Sequence, residues 1–447
     1  MKVVLSNKAH FNCDDPELWD RCCEATTYQV FDKGSQYPKI FKNSAKVTDR
    51  QVWIPVTRYK ELLRNIPLEI IERRAVVPAE IPKPSFTLRP DQDEIFQQVE
   101  DTCIINGKPG FGKTILALAI AWKFQLKTLV VCTNTTIREM WMKEVRKFFG
   151  FEPGVIGSGK YNINAPIVVA NIQTLNKHSA LLAKEFGLVI VDEMHHCVAT
   201  TFTNFLDYSA ARYKIGLSGT LKRKDGLQVM FRDFFGDTVF SPAVNNTLPP
   251  HVHRYRLPVE ISGNRNVPWA LRANEVYEDE RYVMHMAEML FLYWKLGHKV
   301  LFTSDRNELI RELADSLEDV GVPTFRITGV TEIDERNNIQ VEIANMKSPC
   351  VLLASQSIFS EGVSLDELSC LVIGSILNNE SLMEQLAGRI QRITEDKLHP
   401  VIVDTILDGQ TGINQARERG KVYFNNGWEV TYMDDAKYAG LRKIAFA

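Results

Sequence analysis

The chain has 447 residues, of which 45% are hydrophobic and 24% charged, and its formal net charge is −2. That length is too great for one ordinary core and predicts two to four domains. The balance is that of a soluble globular protein and excludes a globally basic nucleic-acid binder, so any nucleic-acid contact must be local. No run of about 18 uncharged apolar residues occurs, so no membrane span is expected. The opening "MKVVLSNKAHFNCDD" does not read as a signal peptide. Eight scattered cysteines, none in a C-x-x-C pair, argue against a zinc ribbon and fit a reducing, cytoplasmic compartment.

Residues 1–85 are mixed in pattern and form the predicted N-terminal accessory domain, a candidate DNA-binding domain. Between Lys33 and Arg74 ten basic residues face four acidic ones, with Tyr37, Phe41, Trp53 and Tyr59 interleaved. Such a segment is either a positive surface for a nucleic-acid backbone or a small domain with solvated lysines and an aromatic core. Pro78, Pro82 and Pro84 mark a linker.

From residue 86 the pattern becomes strand, loop, helix, repeated. The predicted strands are "TCIIN" (102–106), "TLVVCT" (128–133), "PIVVAN" (166–171), "GLVIVDE" (187–193) and "YKIGLSGT" (213–220). Short Val- and Ile-rich runs suit strands buried on both faces of a parallel sheet. Helices are predicted over 114–124 and 136–149. Residues 241–275 hold five prolines and little periodicity, and read as a crossing segment. A second series follows at 299–305, 323–329, 350–356, 370–377 and 400–407, with helices over 308–320 and 381–393. The domains are therefore 1–85, 86–245 and 246–447, and the fold class is α/β.

"GKPGFGKT" spans Gly107, Lys108, Pro109, Gly110, Phe111, Gly112, Lys113 and Thr114. It matches G-x-x-x-x-G-K-[ST] and stands between an apolar strand and an Ala-rich helix. Glycines let backbone N–H groups turn toward phosphate oxygens, and the helix start adds positive potential. Lys113 supplies charge to the β- and γ-phosphates, and Thr114 a hydroxyl for Mg²⁺. A near-match, "GVIGSGKY" at 154–161, ends in tyrosine and leads into a strand, so it is rejected as a nucleotide site. Downstream, "VDEMHH" (191–196) closes an apolar strand. Asp192 is placed as the Mg²⁺ carboxylate and Glu193 as the group that orients and polarises the attacking water. Zinc is not expected at His195 and His196, because adjacent strand residues point to opposite sides.

With these two motifs the chain resembles a superfamily 2 helicase. "LRPDQ" (88–92), "SGT" (218–220), "SEGVSL" (360–365) and "QLAGRIQR" (385–392) stand in the order that family shows. "GLSGTLKRKDGL" and "ASQSIFSEGVSL" are similar to phage UvsW-type branch-migration helicases and XPB-like translocases. The resemblance implies two RecA-like parallel-sheet domains in tandem plus the small mixed N-terminal domain. It implies an ATP hydrolase of the DExH type, using ATP and Mg²⁺, that remodels branched DNA such as forks and four-way junctions. It is expected to act as a monomer, with single-stranded contact in the inter-domain cleft. Gln92, with Arg89 beside it, would read adenine, and Gly362 would lie at the nucleotide.

Arg389 and Arg392, predicted three apart on one helix face, would stabilise developing phosphoryl charge from the second domain on closure. Gln385 would pair with His195, and Ser218 and Thr220 would link nucleotide to nucleic acid. Nucleic-acid contacts are expected at Thr133, Asn134, Arg138, Gln173, Thr174, Lys222, Arg223 and Lys224. Phe231, Phe234 and Phe235 are either a duplex wedge or core. An RNA helicase, or an ATP-gated DNA clamp without net unwinding, remain the alternatives.

Overall fold

Runs such as LVIV and VLLAS lack polar side chains on either face, so they are stable only inside a sheet covered on both sides. The protein's structure, a computed structural model, describes residues 1–30, 38–108, 110–196, 200–219, 221, 227–242, 247–264, 266–356, 365–376, 379–394 and 397–446. Two compact units result, Met1–Asn245 and Asn246–Ala447. The architecture is two RecA-like α/β domains in tandem preceded by a small mixed sheet. Among the described residues no helix is long and apolar enough to cross a membrane.

In the N-terminal part, β1 (Lys2–Leu5), β2 (Lys8–Asn12), β5 (Ala45–Lys46), β6 (Gln51–Pro55) and β7 (Glu69–Glu72) form a sheet of order β5-β6-β2-β1-β7. A separate antiparallel hairpin joins β3 (Thr27–Val30) to β4 (Lys39–Lys42). A helix, Pro16–Ala25, capped by Asp15, covers a core that includes Val3, Leu5, Leu18, Trp19, Val52 and Ile54. Three of the four interleaved aromatics are used internally, and Tyr37 lies outside the described residues. Trp53 lies under the Lys8 ammonium at 4.7 Å, Tyr59 packs on this core, and Phe41 packs on the core of the domain that follows.

That domain is built on eight strands. These are β8 (Cys103–Asn106), β9 (Thr128–Cys132), β10 (Gly154–Gly157), β11 (Lys160–Asn162), β12 (Ile167–Asn171), β13 (Leu188–Val191), β14 (Tyr213–Ser218) and β15 (Val239–Phe240). Their order is β11-β10-β12-β9-β13-β14-β8-β15, parallel except at the β10–β11 hairpin. The rejected near-match "GVIGSGKY" is that hairpin, turned by Ser158 and Gly159 with φ of 51° and 76°. Phe231, Phe234 and Phe235 are core, at most 4% exposed.

The second unit holds β16 (His251–Glu260), β17 (Val300–Ser304), β18 (Thr324–Ile327), β19 (Val351–Ser355), β20 (Cys370–Ile373), β21 (Val401–Asp408) and β22 (Val430–Met433). They form an all-parallel sheet of order β18-β19-β17-β20-β21-β16-β22. The crossing segment expected over 241–275 is corrected here. Residues 251–260 are a ten-residue strand paired on both sides, with a register shift between Leu257 and Glu260 around Pro258. Proline lacks the N–H that a ladder needs, so the strand bulges there.

Candidate nucleotide-binding site

β8 runs into the loop 107–112, and the helix Lys113–Phe124 begins at its end. Gly110 and Gly112 have φ of 87° and 81°, a left-handed conformation that glycine adopts at no steric cost. A Cβ at Gly112 would stand 2.5 Å from Gln92 Nε2, so side-chain packing also requires glycine there. Phe111 folds over Gly107 and is buried. Its carbonyl accepts from Arg89 Nη2 at 2.5 Å and from Gln92 Nε2 at 2.8 Å. Gln92 Oε1 in turn accepts from the Arg89 N–H at 3.0 Å. Both side chains therefore brace the loop. Lys113 Nζ donates to the Gly107 carbonyl at 2.8 Å, which holds its charge within the loop. Pro109 lies outside the described residues.

At the end of β13, Asp192 is buried and both its oxygens are engaged. Oδ2 accepts from the Trp141 indole at 2.7 Å, and Oδ1 from the Glu193 N–H at 3.0 Å. Burial, then the neighbouring Glu193 charge, push its pKa up to about 6; the Trp141 bond and the Lys113 charge pull the other way. Glu193 has φ of 48°, a strained conformation for a long side chain. The turn thereby aims Glu193 and His195 back toward β14. His195 Nδ1 lies 3.1 Å from Ser218 Oγ and 3.3 Å from Glu193 Oε2. Ser218 closes β14, and its carbonyl accepts from the Gly107 N–H at 3.0 Å. The phosphate loop, Asp192, Glu193, His195 and Ser218 thus gather at the carboxyl ends of neighbouring strands, where α/β sheets bind ligands.

A hard cation takes oxygen donors. Thr114 at the helix start and Asp192, near enough to Lys113 to feel its charge, carry oxygen donors of the kind Mg²⁺ takes.

On the same edge, β9 and β12 pair in register, Cys132 opposite Asn171. The residues that follow them meet, with Gln173 Nε2 donating to the Thr133 carbonyl at 3.0 Å. The Thr133 hydroxyl is buried with no hydrogen-bond partner among the described residues. Asn134 caps the helix Thr135–Phe149 by accepting from Ile137 N at 2.9 Å. Thr174, in the short helix Ile172–Leu175, is half-buried.

Arg138 is corrected: it is not a surface contact. It is 3% exposed and bonds Asn171 Oδ1 at 2.6 Å, Ser158 Oγ at 3.1 Å and Glu139 at 2.6 Å. Its charge braces the β10–β11 hairpin.

In the second unit the helix Glu380–Ile390 carries Gln385 and Arg389 on its less buried face, one turn apart. The helix face that Arg392 was expected to share with Arg389 is corrected. Arg392 lies beyond the helix, in a bridge with Thr247, and its guanidinium pairs with Asp366. Thr220, Lys222, Arg223, Lys224, residues 360–364 and Gly362 lie outside the described residues.

Trp141 was not legible as part of the site. It follows Ile137 and precedes Val145 on the buried stripe of its helix, and a buried indole N–H needs an acceptor.

Two family models match, "Type III restriction enzyme, res subunit" over residues 85–223 and "Helicase conserved C-terminal domain" over residues 284–394. The chain is 61% identical to "Probable helicase D10" of Escherichia phage T5 over 448 residues, covering 100% of this chain and 99% of that one. It is 27% identical over 351 residues to "DNA 3'-5' translocase XPB2" of Sulfurisphaera tokodaii, covering 69% and 79%. It is 21% identical over 340 residues to "ATP-dependent DNA helicase uvsW" of Enterobacteria phage T4, covering 70% and 67%. With 61% identity to one helicase along the whole chain, and the two family models matching residues 85–223 and 284–394, the chain belongs to the superfamily 2 helicases.

Proposed function

We propose that the protein is a DExH-type, Mg²⁺- and ATP-dependent DNA translocase that remodels branched DNA, encoded by a bacteriophage and working in the cytoplasm of its host. The carrying observation is the gathering of phosphate loop, Asp192, Glu193 and His195 on one edge of the sheet, with Thr133 and Gln173 beside them. Two relatives whose names give DNA as what they act on support DNA, while a third, 26% identical over 365 residues, is named "Putative ATP-dependent RNA helicase L396", so RNA is kept as an arm of the test.

In this reading Lys113 and the loop amides bind the phosphates, and Arg89 and Gln92 hold the loop for the base. Thr114 and Asp192 hold Mg²⁺, which neutralises phosphate charge when bound. Glu193 orients water and takes its proton, and His195 and Ser218 relay the nucleotide state toward the strand ends. Arg389 and Arg392 stabilise the charge that develops on the γ-phosphoryl group as it passes to water and ADP leaves. Thr133, Asn134, Gln173, Thr174 and Lys222–Lys224 contact the DNA backbone. Arg138 has no part in that contact.

ATP turnover and strand separation measured on single-stranded DNA, duplex, fork, four-way junction and RNA test this reading. Branched DNA should give the highest rates, with near loss in Lys113→Ala and Arg389→Ala. Equal rates on every DNA form would remove the branch preference. Higher rates on RNA would replace the substrate, and binding without strand separation would leave a nucleotide-gated clamp.

A further inference from the structure

One buried carboxylate ties the N-terminal region, through the β3–β4 hairpin and the turn after β6, to the catalytic domain. Asp233 lies in the helix Phe231–Phe235 and is 3% exposed. It accepts from the Tyr28 hydroxyl at 2.8 Å, the Asn43 amide at 2.9 Å and the Arg58 guanidinium at 3.0 Å. Thr57 Oγ1 lies 2.7 Å from the Arg232 carbonyl and 2.9 Å from that of Asp233. Glu61 bridges Arg58 and Arg232, at 2.6 and 2.9 Å. Arg58 is itself 2% exposed. A buried ion pair adds little stability over an apolar contact of the same shape, but it fixes one geometry. Tyr28 and Phe41 already give this interface apolar contact. The charged node therefore defines position more than it adds adhesion.

The opposite side of the same helix leans on the catalytic turn. Phe235 and Met194 both press against Gly216 in β14; a Cβ there would overlap Met194 Sδ and stand 3.2 Å from the Phe235 ring. Met194 is fully buried and separates Glu193 from His195. A close-packed interior transmits displacement rather than absorbing it. A shift of the helix Phe231–Phe235 thus reaches Glu193 through Phe235, Gly216 and Met194. The strained left-handed Glu193 is the element with a more relaxed alternative. Asp207, on the helix that follows the catalytic turn, is held by Lys8 at 2.5 Å. The N-terminal region thereby grips the segments that follow both the acidic turn and β14.

We propose that Asp233 is a positioning residue through which the N-terminal region sets how strongly DNA accelerates ATP hydrolysis; this rests on the function proposed above. The experiment uses the full chain and the variants Tyr28→Phe, Arg58→Lys, Arg58→Met and Asp233→Asn. It measures ATP turnover without DNA and with saturating forked DNA, with thermal unfolding as a check on folding. Tyr28→Phe removes one hydroxyl and keeps the packing, so it remains informative where the others fail to fold.

The DNA-free rate should stay within about two-fold in Tyr28→Phe and Arg58→Met, while the ratio of stimulated to DNA-free rates falls at least about five-fold, the lower range of an energetic coupling between sites. Arg58→Lys, which keeps the charge, should recover part of the ratio. An unchanged ratio, or both rates falling in parallel, overturns the proposal while the helicase reading stands. A wild-type chain that no nucleic acid stimulates sinks both.

Discussion

The indole nitrogen of Trp141 donates to Asp192 Oδ2 at 2.7 Å, so a fully buried tryptophan orients the carboxylate assigned to Mg²⁺. Trp141→Phe keeps most of the packing and removes the donor. A buried acceptor left unsatisfied costs about 1–3 kcal/mol, so the melting temperature should fall. The carboxylate, no longer held, should need more Mg²⁺ to reach half-maximal ATP turnover. Titrating MgCl₂ against rate in both proteins measures this. An unchanged Mg²⁺ requirement with lower stability would leave Trp141 a packing residue only.

Gly112→Ala should separate nucleotide binding from folding. Its φ of 81° strains any L side chain, and the added Cβ meets Gln92 Nε2. The strain costs about 1–2 kcal/mol. Displacing Gln92 also frees the Phe111 carbonyl that it holds. ATP affinity, read with a fluorescent analogue, should fall at least about tenfold, the equivalent of 1.4 kcal/mol. Retained affinity would show that the loop does not depend on Gln92.

Lys214 gives a pH-dependent prediction. It sits buried in β14, and its pKa is pushed down to about 7 by burial first and by the Lys8 charge second, against the opposing pull of Asp207. Between about pH 7 and the ordinary lysine value the unfolded chain binds a proton that the folded chain does not, so stability rises with pH across that window. Below about pH 7 both states are protonated and the deficit is constant. Lys214→Met should therefore stabilise the protein most at or below pH 7, by a few kcal/mol at about 1.4 kcal/mol per unit. The gain should shrink toward pH 10. Melting curves at pH 6.5, 8 and 9.5 check the slope.

What the sequence reveals follows from what is local. Ten strands of the two sheets were legible, most of them because burial on both faces leaves an unbroken apolar run, as in Leu188–Val191 and Val351–Ser355. β16 was not, because its buried positions include Arg254, made tolerable by Asp404 and Ala416, and because Pro258 interrupts it. The phosphate loop is contiguous, so its chemistry shows in eight letters. Asp233 takes partners from positions 28, 43 and 58, and no spacing rule joins them. Arg138 was misplaced because an arginine near the start of a helix reads as a surface charge. Its position beside Ile137 and four residues before Met142, both buried, is the signal that it points inward.

The second unit has its own buried charge node. Asp404 is fully buried and accepts from Arg254 Nε at 2.9 Å and Arg419 Nε at 2.7 Å. Arg254 also donates to the Ala416 carbonyl, and Arg419 to that of Thr405. Two guanidiniums on one carboxylate leave a net positive charge inside the unit, so the carboxylate is the member whose loss is least tolerated. Asp404→Asn leaves both uncompensated and should cost about 3–5 kcal/mol. Replacing all three residues by apolar side chains of similar volume should restore much of that stability, because no unpaired charge then remains. Calorimetry of the full chain should show the shift in the transition of residues 246–447, with that of residues 1–245 unmoved. A triple variant less stable than Asp404→Asn would mean that the node carries packing the apolar side chains do not reproduce.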